Sequence, residues 1–103
     1  MTKISLMGAL AWAAATALPA LADPALAQAK NCMACHAVDR KVVGPAFKDV
    51  AVKYKGDKTA VDKLAAKITH GGSGVWGPVP MPANAQVNEA EAKTLAAWVL
   101  TLK

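Results

Sequence analysis

The sequence predicts an all-α domain of about four helices. Four segments repeat apolar residues at the three- and four-residue spacing of an amphipathic helix, and no segment alternates apolar and polar residues between hairpin turns. Residues 71–82 contain four glycines and three prolines and form a long loop before the last helix. This loop also carries apolar residues, so we expect it to pack against the domain.

The N-terminal segment, residues 1–22, is typical of a secretory signal peptide. A single charge, Lys3, precedes an apolar run that ends in small residues at 20–22, where a signal peptidase would cleave. An uncleaved membrane anchor is the alternative, because the run is about long enough to span a bilayer. Cleavage after the similar triplet at 25–27 is a second alternative. We expect a cleaved signal peptide over residues 1–22 and one domain over residues 23–103.

The first two helices have recognisable start and stop residues. The first begins with Asp23 as its N-cap and Pro24 at the first helical position, and it runs toward Asn31. The second is opened by Pro45 and ended by Gly56. Its apolar face comprises Phe47, Val50, Ala51 and Tyr54.

The last two helices carry capping-box patterns. The third begins near Thr59 with Asp62 three residues later, and Gly71 closes it. The fourth begins at Asn88 with Glu91 three residues later. The apolar faces comprise Val61, Leu64, Ala65 and Ile68 in the third helix and Leu95, Trp98, Val99 and Leu102 in the fourth.

The charge balance is basic, with 12 lysines and arginines against 7 aspartates and glutamates. This excess favours an acidic partner surface or electrostatic steering of association. The sequence lacks the dense basic runs and interleaved aromatic residues of a nucleic-acid binder. A domain this small also supplies little net stability from its own core and usually needs a covalent or metal staple.

Cys-Met-Ala-Cys-His, residues 32–36, is the segment with the most reactive side chains. A disulfide between its cysteines would close too short a loop to stabilise the fold much, and a thioredoxin-like redox pair needs an α/β context that the sequence lacks. A zinc site would need His70 as a further ligand, but the usual spacing of zinc-binding histidines is absent. The pattern is also the attachment signature of c-type haem. Export and small size favour haem, which supplies the missing staple and apolar core.

A haem iron held by His36 has a sixth position, for which Met81 is the best candidate. Met33 lies between the two attached cysteines and cannot reach across the ring, while His70 is typical of a solvated helix C-terminus. Prolines on both sides of Met81 prevent a helix and stiffen the backbone. Such a rigid methionine suits presentation of its sulfur to iron better than adaptable core packing. His/Met ligation is typical of electron-transfer cytochromes c.

The chain resembles the small bacterial class I cytochromes c of the cytochrome c-551/c-552 group. The matching stretches are CMACH, KVVGPAFKDVA, GGSGVWGPVPMP and EAKTLAAWVL, which are distributed along the chain from residue 32 to residue 100. The resemblance implies the small class I cytochrome c fold, with about four helices wrapped around one covalently attached haem c. It implies that Cys32 and Cys35 form the haem thioethers and that His36 and Met81 are the axial ligands of the iron.

The resemblance also implies roles for residues around the haem. Pro45 corresponds to the proline whose carbonyl accepts a hydrogen bond from the ligand imidazole, and Trp76 to an indole that donates to a haem propionate. Asn84 corresponds to an asparagine beside the ligand methionine and is a candidate donor to its sulfur. Lys67 replaces an arginine that contacts a propionate in some members, and it offers a point charge instead of a fork. Asn31 replaces a glycine and is expected to keep a left-handed backbone.

We therefore expect a soluble, periplasmic, monomeric electron carrier without enzymatic activity. The expected partners are redox proteins, with an electron donor such as a membrane cytochrome complex and an acceptor such as a terminal oxidase or nitrite reductase. Several basic residues are candidates for steering these encounters: Lys30, Arg40, Lys41, Lys48 and Lys53. The alternatives are a catalytic or ligand-sensing haem protein with a labile sixth position, and a haem-free metal or disulfide module.

Overall fold

The computed structural model of the chain describes residues 24–103, and its regular structure is helical. Helix α1 spans Pro24–Ala29, a 3₁₀ helix spans Cys32–Ala34, and the remaining helices are α2 over Phe47–Lys53, α3 over Ala60–His70 and α4 over Glu89–Leu100. Over this range the one β-type pairing is an isolated bridge between Gly72 and Met81. The predicted all-α class with four α-helices is confirmed.

The expectations for residues 1–22, and for Asp23 as an N-cap, lie outside the described residues. Within residues 24–103, no helix has both the length and the apolar character needed to cross a membrane.

One hydrophobic cluster joins the two ends of the described chain. Leu26 and Ala27 from α1 are buried in it together with Leu95, Trp98 and Val99 from α4. Helix α2 contributes Phe47 and Val50, and α3 contributes Ala65. The helices therefore share a core that is small and rich in alanine, which is a modest source of stability for a domain of this size.

The predicted helix boundaries are confirmed where a local side chain or backbone conformation sets them. Helix α1 is already present at Pro24, the first described residue, so its predicted start stays a prediction. Asn31 adopts the expected left-handed backbone with a φ of 64°. The capping box of α4 is formed, since Asn88 Oδ1 accepts from the Glu91 amide at 2.8 Å and Glu91 Oε1 accepts from the Asn88 amide at 3.1 Å. Gly71 ends α3 with a φ of 72°.

The predicted capping box between Thr59 and Asp62 is wrong. Thr59 occupies the N-cap position of α3 but makes no side-chain cap hydrogen bond. Instead its amide and its hydroxyl both donate to Asp57 Oδ1, at 2.8 and 2.7 Å. A carboxylate two residues earlier competes successfully for the threonine hydroxyl, so the loop is closed by an Asx-type turn.

The second helix is shorter than predicted. It begins at Phe47, with Ala46 as the N-cap, so Pro45 lies before the helix and does not open it. It ends at Lys53, so Tyr54 is the C-cap and Gly56, with a φ of 80°, lies in the turn beyond. Leu102 likewise lies beyond the end of α4 at Leu100, although it still packs against the core.

The turn before α3 predicts an acid-sensitive contribution to stability. The ammonium of Lys63, whose Nζ lies 2.9 Å from Asp57 Oδ2, and the hydrogen bonds from Thr59 lower the pKa of Asp57 from 3.8 to about 2. Because the folded pKa is depressed, this contribution is fully present above about pH 4 and is lost as the pH falls toward 2.

Asp57→Asn should therefore flatten the acid limb of the stability curve. We expect the free energy of unfolding in urea to fall less between about pH 5 and about pH 2.5 in the variant than in the wild type. Any acid effect on a bound cofactor is common to both proteins and cancels in the comparison. Equal losses in the two proteins would contradict the assignment.

Candidate cofactor site

The imidazole of His36 is oriented by a hydrogen bond to the main chain. Its Nδ1 lies 2.8 Å from the carbonyl oxygen of Pro45. A carbonyl can only accept, so the bond requires a proton on Nδ1 and leaves the Nε2 lone pair free in the neutral ring. This is the arrangement by which proteins fix the tautomer and direction of a metal-binding histidine.

Close packing also holds the same ring in place. The ring of Phe47 stacks on His36 with centroids 4.7 Å apart and an interplanar angle of 20°. Gly44 lies so near the ring that an added Cβ would be 2.8 Å from His36 Nδ1, closer than real side chains approach. Phe47 in turn contacts Trp98 edge-on, with centroids 5.5 Å apart, which connects the imidazole to the core.

The two cysteines lie on the single 3₁₀ turn that precedes His36. The left-handed Asn31 begins this turn, and the amides of Cys35 and His36 both donate to the Cys32 carbonyl, at 3.2 and 3.0 Å. Both thiols are half-buried and free of any disulfide. Burial raises the pKa of Cys32, so its thiol stays protonated at neutral pH.

A cavity of about 320 Å³ opens beside His36, and its wall is mostly apolar. His36 and Met81 both line it, and so do four other residues singled out from the sequence: Cys35, Pro45, Lys67 and Trp76. A cavity of this size and character suits a largely apolar planar cofactor. The Cys35 thiol, the His36 imidazole with an available Nε2 and the Met81 thioether lie in its wall, and Cys32 lies on the 3₁₀ turn just before His36. Together they form a donor set that fits a covalently attached haem.

The segment that carries Met81 is held against the end of α3 by backbone bonds. The Met81 amide donates to the Gly72 carbonyl at 2.8 Å, and the Gly72 amide donates to the Met81 carbonyl at 3.0 Å. A Cβ on Gly71 would lie 2.7 Å from the Ala83 amide nitrogen, so only glycine permits this close approach. Met81 itself is half-buried in the wall.

The other sequence candidates lie elsewhere. Cys32 and Asn84 are not on the cavity wall, and the Asn84 amide donates to the carbonyls of Ile68 at 2.9 Å and Pro82 at 3.3 Å. Met33 packs against the hydrophobic core, and His70 is exposed at the end of α3, on a separate shallow cleft. Among residues 24–103, no three histidines, cysteines or acids are grouped to hold a metal ion, which is what the zinc alternative would require.

The mouth of the cavity is apolar with basic residues beside it. Trp76 is 44% exposed, and Lys53 Nζ lies 5.6 Å from the centroid of its ring, within the range of a cation–π contact. Lys41 and Lys67 also line the cavity. Three exposed valines complete this rim: Val43, Val75 and Val79.

Sequence reasoning missed three contacts that shape the site. Gly44 and Phe47 clamp the His36 ring, but the sequence marked Phe47 only as a core residue of α2. Gly72 pairs with Met81 in the isolated bridge. The available signal was the Gly-Pro pair at 44–45, because a glycine directly before the proline whose carbonyl bonds a histidine indicates a close approach of the backbone to another group.

Comparison with known proteins supports a common origin for this arrangement. Residues 24–103 match the family model described as Cytochrome c. Cytochrome c-551 of Allochromatium vinosum is 53% identical over 94 residues, covering 90% of this chain and 100% of that protein. Cytochrome c-552 of Hydrogenobacter thermophilus is 60% identical over 82 residues, covering 80% of this chain and 83% of that protein. The crystal structure of wild-type Nitrosomonas europaea cytochrome c552 superposes with a TM-score of 0.77 and 57% identity, covering 79% of this chain and 100% of that chain.

The close contact between Gly44 and the His36 ring predicts that one added methyl group at residue 44 destabilises the protein. Gly44→Ala should push the ring away from the Pro45 carbonyl, lowering the free energy of unfolding of the cofactor-loaded protein by about 1–3 kcal/mol, as overpacking does. NMR should show a displaced His36 Nδ1 proton. Gly56→Ala is the control, because its added methyl has nothing within 4 Å and can act only through the backbone. An unshifted Nδ1 proton in Gly44→Ala would contradict the clamp.

Proposed function

Because the chain belongs to the cytochrome c family and is a monohaem c-type electron carrier, we propose that its own residues hold the haem in a closed, six-coordinate site. Its one haem c is attached covalently, as in the family. In this proposal Cys32 and Cys35 form the thioethers, and His36 and Met81 are the two axial ligands. The periplasm is its place of action.

The observation that carries the proposal is that His36 and Met81 line one cavity and that each is held by hydrogen bonds to the main chain. The Pro45 carbonyl directs the imidazole, and the Gly72 bridge holds the methionine segment. The bound haem supplies the reversible one-electron change of its iron. Two ligands held by such hydrogen bonds keep the structural rearrangement between the ferrous and ferric states small.

The protein also limits the access of water and sets the charge around the cofactor. Phe47, Val50 and Val99 line the inner wall of the cavity and keep it apolar. Trp76 and Lys67 also line the cavity, where they would offer an indole N–H and an ammonium to the haem propionates. Asn84 acts on the Met81 segment through the carbonyls it bonds.

We further infer that the chain is exported, with residues 1–22 as a cleaved signal peptide and residues 23–103 as the working domain. In the periplasm it passes electrons from a donor such as a membrane cytochrome complex to an acceptor such as a terminal oxidase or nitrite reductase. The basic residues beside the cavity mouth favour transient association with acidic surfaces. N-terminal sequencing of the periplasmic form should begin at Asp23, and an uncleaved Met1 would contradict export with cleavage.

A catalytic or ligand-sensing role is the alternative that the sequence left open, and it needs a labile sixth position. The two backbone bonds between Met81 and Gly72 argue for a bound methionine instead. The two functions therefore differ in a single measurable property, the access of external ligands to the iron.

Met81→Ala should convert the closed site into an open one. We expect a lower reduction potential, because the thioether favours ferrous iron, and ready binding of carbon monoxide to the reduced variant. Met33→Ala is the matched control, since it removes a thioether that packs against the core and does not line the cavity. If the Met81 variant keeps the potential of the wild type and excludes carbon monoxide, Met81 is not the ligand.

The basic residues at the cavity mouth predict that the rate of electron transfer to an anionic oxidant depends on salt concentration. Oxidation of the reduced protein by ferricyanide should slow as ionic strength rises, because exposed charges are screened over about 10 Å at 0.1 M salt. Lys41→Gln, at the rim, should lower the rate at low salt. Lys93→Gln, on the separate cleft beside α3 and α4, should leave it near that of the wild type. Equal rates in both variants would refute steering at the cavity mouth.

A further inference from the structure

A chain of hydrogen bonds links the segment after Met81 to the residues just before the first cysteine. Gln86 Nε2 donates to the Lys30 carbonyl at 3.0 Å and to Asn84 Oδ1 at 3.1 Å. Lys30 Nζ returns the contact, donating to the Gln86 carbonyl at 3.1 Å. Both amide hydrogens of Gln86 therefore have a partner, and its main chain is held as well.

The bond from Gln86 determines which way the Asn84 amide points. Because Oδ1 accepts from Gln86, the Nδ2 group must face the other way, where it donates to the carbonyls of Ile68 and Pro82. The Asn84 main-chain amide also donates to Ile68, at 3.1 Å. Pro82 directly follows Met81, so this amide ties the methionine segment to α3.

The other end of this chain of hydrogen bonds, at Lys30, is held by contacts to two helices. The Lys30 amide donates to the Leu26 carbonyl at 3.0 Å and closes the last turn of α1. Its Nζ lies 3.1 Å from Glu91 Oε2, and Glu91 belongs to the capping box of α4. Lys30 is also only two positions before Cys32. A side chain that bonds to Lys30 is therefore tied to the fixed backbone segment that leads into the cysteine turn.

The methionine segment needs such side-chain bonds because its own main chain offers few. Pro80 and Pro82 have no N–H and cannot extend the bridge that Met81 makes with Gly72. Beyond Met81, the next main-chain amide that bonds to α3 is that of Asn84. The stretch between them depends on the Asn84 side chain, and its orientation depends on Gln86.

We propose that Gln86 is a positioning residue that keeps Met81 in the cavity wall, so that it sets how often the methionine leaves the iron. The inference rests on the proposed function, in which Met81 is the sixth ligand. It adds a residue that touches neither the cavity nor the cofactor, and that acts through Asn84 on one side and Lys30 on the other. Loss of Gln86 should increase opening of the Met81 segment without unfolding the domain.

Cyanide binding to the ferric, haem-loaded protein measures this opening, because cyanide enters only when Met81 has left. Gln86→Leu should bind cyanide roughly two- to tenfold faster than the wild type, the range expected for the loss of one typical hydrogen bond. Hydrogen exchange at the Met81 amide should accelerate by a similar factor. Gln86→Glu keeps the length but cannot donate to either oxygen, so it should act in the same direction.

Gln28→Leu is the matched control, because Gln28 is an exposed glutamine on α1 that does not line the cavity. Equal cyanide rates in the Gln86 and Gln28 variants would overturn the proposal. So would an acceleration accompanied by equally faster exchange at the buried Leu95 amide of α4, because that would mean general destabilisation. A wild-type protein that binds cyanide at once and lacks the methionine–iron absorption band would instead overturn the proposed function itself.

Discussion

The hydrogen bond from His36 Nδ1 to the Pro45 carbonyl is the contact on which the site depends. It fixes the tautomer, leaves the Nε2 lone pair free and joins the cysteine turn to the segment that leads into α2. The ring can reach this carbonyl only because residue 44 has no side chain, and it stays there because Phe47 stacks on it. Through Trp98 the same contact extends into the core, so the fold and the site stabilise each other.

The two walls of the cavity are built in different ways. The histidine wall is close to helices and is fixed by packing of rings. The methionine wall is a loop whose prolines exclude regular structure, and it is held by one two-residue bridge and by the amides of Asn84 and Gln86. This difference predicts that the methionine side opens first, since it depends on a few exposed hydrogen bonds and little buried apolar surface. Such a site can keep both proposed ligands bound to the iron during electron transfer. The methionine–iron bond would still have a shorter lifetime than the histidine–iron bond.

Much of the fold was predictable because it depends on local signals. The Asn88–Glu91 pair sets the start of α4 through hydrogen bonds between neighbouring residues, and Asn31 adopts a left-handed conformation that its short amide side chain tolerates. The failure at Thr59 has the same local origin, because Asp57 competes for the hydroxyl that the capping pattern requires. Short-range rules identify the groups that could form such a hydrogen bond, but they do not determine which of the competing bonds forms.

The remaining contacts could not be predicted because they join residues far apart in the sequence. Nothing near Phe47 indicates that it stacks on His36, and nothing near Gln86 indicates a bond to Lys30, 56 positions earlier. Resemblance to a family suggested Asn84 as a donor to the methionine sulfur. In the structure its amide donates to the carbonyls of Ile68 and Pro82, and the bond to Ile68 joins residues 16 positions apart. A role at the methionine sulfur stays a prediction.

The central claim is that Met81, and not Met33, is bound to the haem iron opposite His36. The most direct test is an NMR spectrum of the reduced protein with ¹³C-labelled methionine methyl groups, assigned by sequential connectivity. A methionine bound above a haem plane experiences the full ring current of the porphyrin. We predict one strongly upfield-shifted methyl signal that belongs to Met81, with the Met33 methyl near its ordinary position. An ordinary Met81 signal, or a shifted signal assigned to Met33, would contradict the account.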